Sequence, residues 1–187
     1  MPGTGKITLT GSLGEVMKES AQLAVSYART VADKYGIAPD FYSTKDLHIH
    51  FPEGAVPKDG PSAGVAMTCS LISALSGRPC RRDVAMTGEI TLHGKVLPIG
   101  GLREKSFAAF KSGIKTVLIP KENLKDLTEV DEAVKEAITF VPCETVADAL
   151  SLALAPEKES VQPPMPDFST PRIIPDLKLN RTEQAGV

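Results

Sequence analysis

The chain has 187 residues, 42% of them hydrophobic and none of them tryptophan, and its 21 Lys and Arg against 23 Asp and Glu leave a formal net charge of −2 at pH 7. That length gives room for one hydrophobic core, the charge balance offers no basic surface for nucleic acid, and no apolar run reaches the ~20 residues of a membrane span. MPGTGKITLTG lacks the apolar stretch of a secretory signal, and Cys69, Cys80 and Cys143 are too few for a disulfide framework or metal knuckle, so a cytoplasmic protein with reduced thiols is expected.

Along the chain, Gly3-Thr4-Gly5-Lys6 looks like half of a phosphate loop. No glycine stands five residues before Gly5, however, and Ile7 replaces the hydroxyl that would hold magnesium, so the segment reads as the start of a strand, KITLT. Ser12-Leu13-Gly14-Glu15 has capping-box spacing and predicts a helix running to about Tyr35, where Gly36 stops it. A second strand, LHIHF, puts His48 and His50 on one face. The remaining imidazole, His93, lies in the turn HGK, so no metal site is expected. GAVPKDGP carries two prolines and two glycines and reads as a loop. SAGVAMTCSLISALSG is apolar almost all round, which suits a buried helix with Pro61 in its first turn and Gly77 as its cap.

Beyond it, Arg78, Arg81 and Arg82 read as solvated surface, and VAMT and TVLIP as strands. GGLREKSFAAFKSG predicts a helix whose apolar face runs through Leu102, Ser106, Ala109 and Phe110, ended by Gly113. Six of the fifteen prolines follow Ala155 in a stretch without apolar periodicity, so the chain divides into a compact body, 1–155, and a flexible Pro-rich extension, 156–187. Strands alternating with helices predict an α+β, mixed α/β, body.

Two residues in this pattern invite chemistry. Gly60-Pro61-Ser62-Ala63-Gly64 matches the G-x-S-x-G elbow of α/β-hydrolases, but that elbow needs a strand before the serine and an acid and a histidine after it. A loop precedes Ser62 and only His93 follows. Ser62 is therefore placed at a helix N-terminus, either as an N-cap or as a nucleophile whose oxyanion the free N–H groups would hold. Lys105, three residues after Leu102 and four before Ala109, falls on the apolar face. It either snorkels to water or is a desolvated amine that gives up its charge readily and can take a serine proton.

Together, FPEGAVPKDGPSAGVAMT, DVAMTGEITLHGKVLPIGGLREK and GIKTVLIPKEN resemble the C-terminal proteolytic domain of the ATP-dependent Lon protease family, over roughly Gly5 to Leu154. The resemblance implies a Ser–Lys dyad, with Ser62 the nucleophile, Lys105 its general base and Thr87 hydrogen-bonded to the lysine. The backbone N–H groups of Ser62 and Ala63 would hold the oxyanion, and Asp59, on the motif's acidic position, is given no chemical step. It further implies a serine endopeptidase acting on unfolded or damaged proteins in quality control, as a hexameric ring. No cofactor is expected in this chain, since ATP and magnesium would belong to a separate ATPase module, and neither a membrane nor nucleic acid is expected as a partner. Two alternatives stay open: a catalytically silent Lon-like module for assembly or partner binding, and a kinase-like enzyme using PEGAVPKDGPSAG to bind phosphate at a helix N-terminus, which leaves Lys105 unexplained.

Overall fold

The strand Thr116–Pro120 (β6) is buried on both faces, and alternation along it separates two cores. Side chains of successive strand residues point to opposite faces, so Leu118 enters one cluster while Val117 and Ile119 enter the other. In this computed structural model, which describes residues 1–52 and 54–156, β6 is the centre of a parallel sheet. Val84–Met86 (β3) and Thr139–Cys143 (β7) flank it in the order β3-β6-β7. A separate parallel pair joins Ile7–Thr10 (β1) to Leu47–His50 (β2), and Glu89–Ile90 (β4) with Val96–Leu97 (β5) makes a short antiparallel ribbon. The architecture is mixed α/β, as expected. The strand at 139–143 and the β4–β5 ribbon were not marked by the sequence pattern, because Pro142 interrupts the first and the second has only two residues per strand.

The larger core lies between helices Glu15–Thr30 (α1), Gly64–Ser76 (α3) and Val146–Ala153 (α6). Ala21, Ala24 and Ala28 form the buried stripe of α1, and methyl-sized side chains let that helix lie close against α3. α3 is apolar on nearly every side because it meets α1 on one flank and α6 on another. The smaller core joins Leu102–Lys111 (α4) and Glu132–Ala137 (α5), which follows the short helix Phe41–Thr44 (α2) in chain order, to β6 through Leu102, Ala109, Val134 and Ile138. Cys69 and Cys143 are buried unpaired thiols, and burial pushes them up to about 12 and about 11. No helix among the described residues is long and apolar enough to cross a membrane.

Three local expectations are corrected. α1 begins at Glu15 with Gly14 as its N-cap, and Ser12, at φ 57°, does not cap it. Asp59 supplies the missing acceptor from across the fold, taking the Met17 N–H at 3.1 Å. α1 also ends at Thr30, five residues early. A turn and a short 3-10 segment, Asp33–Tyr35, follow, and Gly36 at φ 62° closes that segment instead. Arg78 is not free surface, because its guanidinium donates to the Ala155 carbonyl at 3.0 and 3.3 Å and so fastens the end of the body. The extension expected over 156–187 lies, apart from Pro156, outside the described residues.

The glycine-rich start does form a cradle, and it cradles a carboxylate of the protein itself. Asp46 Oδ1 accepts the N–H groups of Thr4 at 2.8 Å and Lys6 at 2.9 Å, and these bonds hold its carboxyl below the ordinary 3.8. A depressed native pKa contributes stability that is present above 3.8 and lost as pH falls through the native value. Asp46→Asn is therefore expected to lower the urea midpoint at pH 7, with the gap to the parent narrowing as pH falls through 3.8 toward 2; an unchanging gap would show that the carboxylate charge contributes nothing.

Candidate active site

Ser62 stands where α3 stops. In one more helical turn its carbonyl would accept from the Ala66 N–H; it accepts instead from the Gly88 N–H at 2.9 Å and the Thr87 hydroxyl at 3.1 Å. The Val65 N–H returns a bond to the Gly88 carbonyl at 3.1 Å, so the serine turn is stitched to the exit of β3 from both sides. Thr87 is itself 7% exposed and fixed to β6 through its N–H on Leu118 O at 3.1 Å. Position 88 has room only for glycine: a Cβ there would lie 2.7 Å from Val96 Cγ1 and 2.8 Å from Val65 Cγ2.

This stitching decides the fate of the Ser62 polar groups. The N-cap of α3 is Ala63, with no side-chain cap, so the hydroxyl of Ser62 is not spent on capping. The N–H groups of Ser62 and Ala63 donate to no group among the described residues, and both lie at the positive end of the α3 dipole. On the approach side, Gly60 takes φ 124°, and Asp59 Oδ1, besides capping α1, accepts the Gly60 N–H at 2.9 Å. Reciprocal bonds, Lys58 N–H to Ser12 O at 2.9 Å and Gly14 N–H to Lys58 O at 2.8 Å, pin the loop before the serine to the start of α1. A Cβ on Gly14 would overlap the Asp59 carboxyl. Asp59 is thus a structural acid that helps fix the serine loop, a role no local spacing could reveal.

Lys105 reaches the same place from α4. A pocket of about 250 Å³ is lined by Ser62, Ala63 and Ala66 from the serine turn and α3, Thr87 from the end of β3, and Lys105 and Ala109 from α4. Gly101, at φ 71°, is the N-cap of α4 in the left-handed conformation. The buried stripe of α4 is Leu102, Ser106 and Ala109, and Lys105 stands at its edge, exposed, with Nζ donating to Gly100 O at 2.9 Å. The expectation of a desolvated amine is therefore corrected for this chain: the stem lies along the pocket wall and the head reaches water, which is snorkelling. Phe110, expected on the apolar face, is 39% exposed. The Thr87 hydroxyl uses its proton on the Ser62 carbonyl and makes no bond to Lys105, although its lone pairs remain able to accept one.

The other sequence candidates fall elsewhere. His48 Nε2 and His50 Nδ1 both meet Thr10 Oγ1, at 2.9 and 2.8 Å. No cluster of three or more metal-ligating side chains occurs among the described residues.

Residues 1–156 match the family model described as the Lon protease (S16) C-terminal proteolytic domain. The chain is 57% identical to the Lon protease of Escherichia coli K12 over 162 residues, 87% of this chain and 21% of that protein. It is 58% identical to the Lon protease of Haemophilus influenzae over 160 residues, 86% of this chain and 20% of that protein. Against Lon protease 1 of Bacillus subtilis the figures are 54% over 158 residues, 84% and 20%. The chain spans about a fifth of the length of the curated relatives it matches.

The stitching makes Thr87 testable. Thr87→Val keeps the shape but removes a hydroxyl from the serine turn, so Ser62 is expected to react with a phosphonylating reagent about 10- to 1,000-fold more slowly, the scale of losing one positioning bond in a catalytic site. Unchanged labelling kinetics, measured by intact mass against time, would remove Thr87 from the site.

Proposed function

The chain belongs to the Lon protease C-terminal proteolytic domain family, and we propose that it is a serine endopeptidase in which Ser62 is the nucleophile and Lys105 the general base. The observation that carries this reading is the one pocket lined by Ser62, Thr87 and Lys105, with two backbone N–H groups at its serine end that donate to no group among the described residues. A serine hydroxyl is a weak nucleophile until a neighbouring base takes its proton, and the amine is the basic side chain in that pocket.

In the proposed reaction an extended peptide presents its carbonyl carbon to Ser62 Oγ. The hydroxyl proton passes to neutral Lys105 Nζ as the C–O bond forms, and the N–H groups of Ser62 and Ala63 donate hydrogen bonds to the oxyanion. Collapse of the tetrahedral adduct breaks the C–N bond, Lys105 returns the proton to the leaving amine, and an acyl ester remains on Ser62. Water, deprotonated by the same amine, then releases the acyl product. To act this way Nζ must leave the Gly100 carbonyl and turn into the pocket, and Thr87 Oγ1 offers an acceptor lone pair to hold it there.

Within the same reading the substrates are unfolded protein segments, the working form is a homo-oligomeric ring in the cytoplasm, and the work of unfolding is done by a separate ATPase module using ATP and magnesium. The competing reading, a catalytically silent assembly module, has one observation in its favour: Lys105 Nζ is turned to Gly100 O and shares no hydrogen bond with Ser62.

Labelling separates the two readings. A fluorophosphonate probe followed by peptide mapping is expected to mark Ser62, and absence of label there would support the silent module. Ser62→Ala and Lys105→Ala are each expected to abolish cleavage of a fluorogenic peptide with the far-UV circular dichroism unchanged. The Lys105 change alters stability by no more than about 0.5 kcal/mol, because that side chain is exposed. Because only the uncharged amine has a lone pair, kcat/KM rises with pH; control by an ionisation near 6.5 would point to histidine. ATP with magnesium is expected to leave peptide cleavage by this chain unchanged, since Gly3-Thr4-Gly5-Lys6 is occupied by Asp46. Stimulation by ATP would overturn that assignment.

A further inference from the structure

Between β5 and α4 the chain runs through Pro98, Ile99, Gly100 and Gly101, outside any strand or helix, and one buried side chain grips it there. Asn123, in the 3-10 helix Lys121–Glu129 that follows β6, is 1% exposed. Its Oδ1 accepts the Ile99 N–H at 3.0 Å and its Nδ2 donates to the Ile99 carbonyl at 2.8 Å. That double exchange is what a hydrogen-bonded partner residue makes in an antiparallel ladder. The second Nδ2 hydrogen goes to Asp126 Oδ2 at 2.6 Å. The carboxylate fixes which way the amide faces: turned over, the amide would set its NH2 against the Ile99 N–H and its oxygen against two acceptors.

The grip acts on the approach to Lys105. Two glycines follow Ile99, and both their carbonyls are bonded to that lysine: Gly100 O accepts Nζ at 2.9 Å and Gly101 O accepts the Lys105 N–H at 3.2 Å. Glycine is the least restricted residue of a chain, so a pair of them has its carbonyls placed by whatever holds either end. Leu102, 3% exposed in the smaller core, is the anchor on the helix side. Ile99 is the anchor on the other, half-buried against the same core and held through its main chain by Asn123.

We propose that Asn123 is a positioning residue for Lys105: by gripping Ile99 it sets the Gly100 carbonyl, and with it the place where Nζ rests beside the pocket and from which it turns toward Ser62. The inference rests on Lys105 being the general base. Asn123 acts only through the loop, since it lines no part of the pocket.

Asn123→Ala removes both bonds to Ile99. A group that acts only on the base lowers kcat and kcat/KM together and leaves KM unchanged. On a fluorogenic peptide kcat is expected to fall about 10- to 100-fold, the cost of a displacement on the order of 1 Å at a catalytic group. Asn123→Ser, with a shorter polar arm, is expected to fall between it and the parent. Ile138→Val thins the same core without removing either bond, and is expected to keep the parent kcat at a lower melting temperature. An equal fall in Ile138→Val would assign the effect to a loosened core and overturn the proposal. A raised KM with kcat kept assigns the loop to substrate binding and also overturns it. Asn123→Asp combined with Asp126→Asn keeps an acceptor for the Ile99 N–H but leaves position 123 without a donor for the Ile99 carbonyl, so it is expected to stay slow; recovery to the parent kcat would show that the bond to Asp126 is what matters. NMR relaxation of the Lys105 ε-carbon reads the hold without turnover, and its order is expected to fall in Asn123→Ala. Loss of order in a chain whose parent neither cleaves peptide nor takes label at Ser62 defeats the peptidase reading and keeps the grip, whereas unchanged order defeats the grip whatever the activity.

Discussion

The Ser62 carbonyl is the acceptor on which the arrangement of this domain turns. Receiving the Gly88 N–H and the Thr87 hydroxyl, it ends the helical bonding of α3 and fastens the first turn of that helix to the end of β3. α3 is buried on most of its surface, so a fixed start also fixes where α1 and α6 lie against it. Through the Thr87 N–H on Leu118 the same contact reaches β6, the strand that separates the two cores. A helix left to continue would have consumed the carbonyl and drawn the serine into regular structure; ending it here leaves the N–H groups of Ser62 and Ala63, at the positive end of the dipole, without an acceptor among the described residues.

Carboxylates do much of the work of satisfying backbone donors, and they do it at a distance. Asp59 closes the N-terminus of α1 while holding the Gly60 N–H, so the loop that delivers Ser62 and the helix beneath it share one acceptor. Asp46 gathers the N–H groups of Thr4 and Lys6 and bends the N-terminal segment onto β2. α6 follows the local rule instead: Thr145 accepts the Asp148 N–H at 3.2 Å while the Asp148 carboxylate takes the Thr145 N–H at 2.9 Å. A capping box works where chain direction allows a reciprocal reach over three residues. At Ser12 the left-handed backbone forbids that reach, and an acid from elsewhere takes over.

The exposed amine of Lys105 marks the boundary between a pocket that has its residues and one that is closed. Leu102, Ser106 and Ala109 bury one stripe of α4, and Lys105 at the edge of that stripe follows the usual compromise of an apolar stem and a hydrated head. Among the described residues the pocket mouth is open.

Much of the plan was legible in the order of residue types. Short strand-like runs with glycine or proline at their ends marked β1, β2, β3 and β6, Gly77 marked the end of α3, and the prolines and glycines of GAVPKDGP marked a loop, because these signals act within one turn or one pleat of the residue that carries them. Ser62, Thr87 and Lys105 were singled out by motif, and the fold gathers them around one pocket. Only the tertiary structure decided that Asp59 caps α1, that Thr87 holds the serine carbonyl and that Lys105 faces water. Each of these is a bond or exposure set by segments tens of residues apart. Propensity and periodicity describe what a residue does to its own neighbours in the chain, whereas an acceptor for a distant N–H, or a neighbour that shields an amine, exists only once the segments have packed.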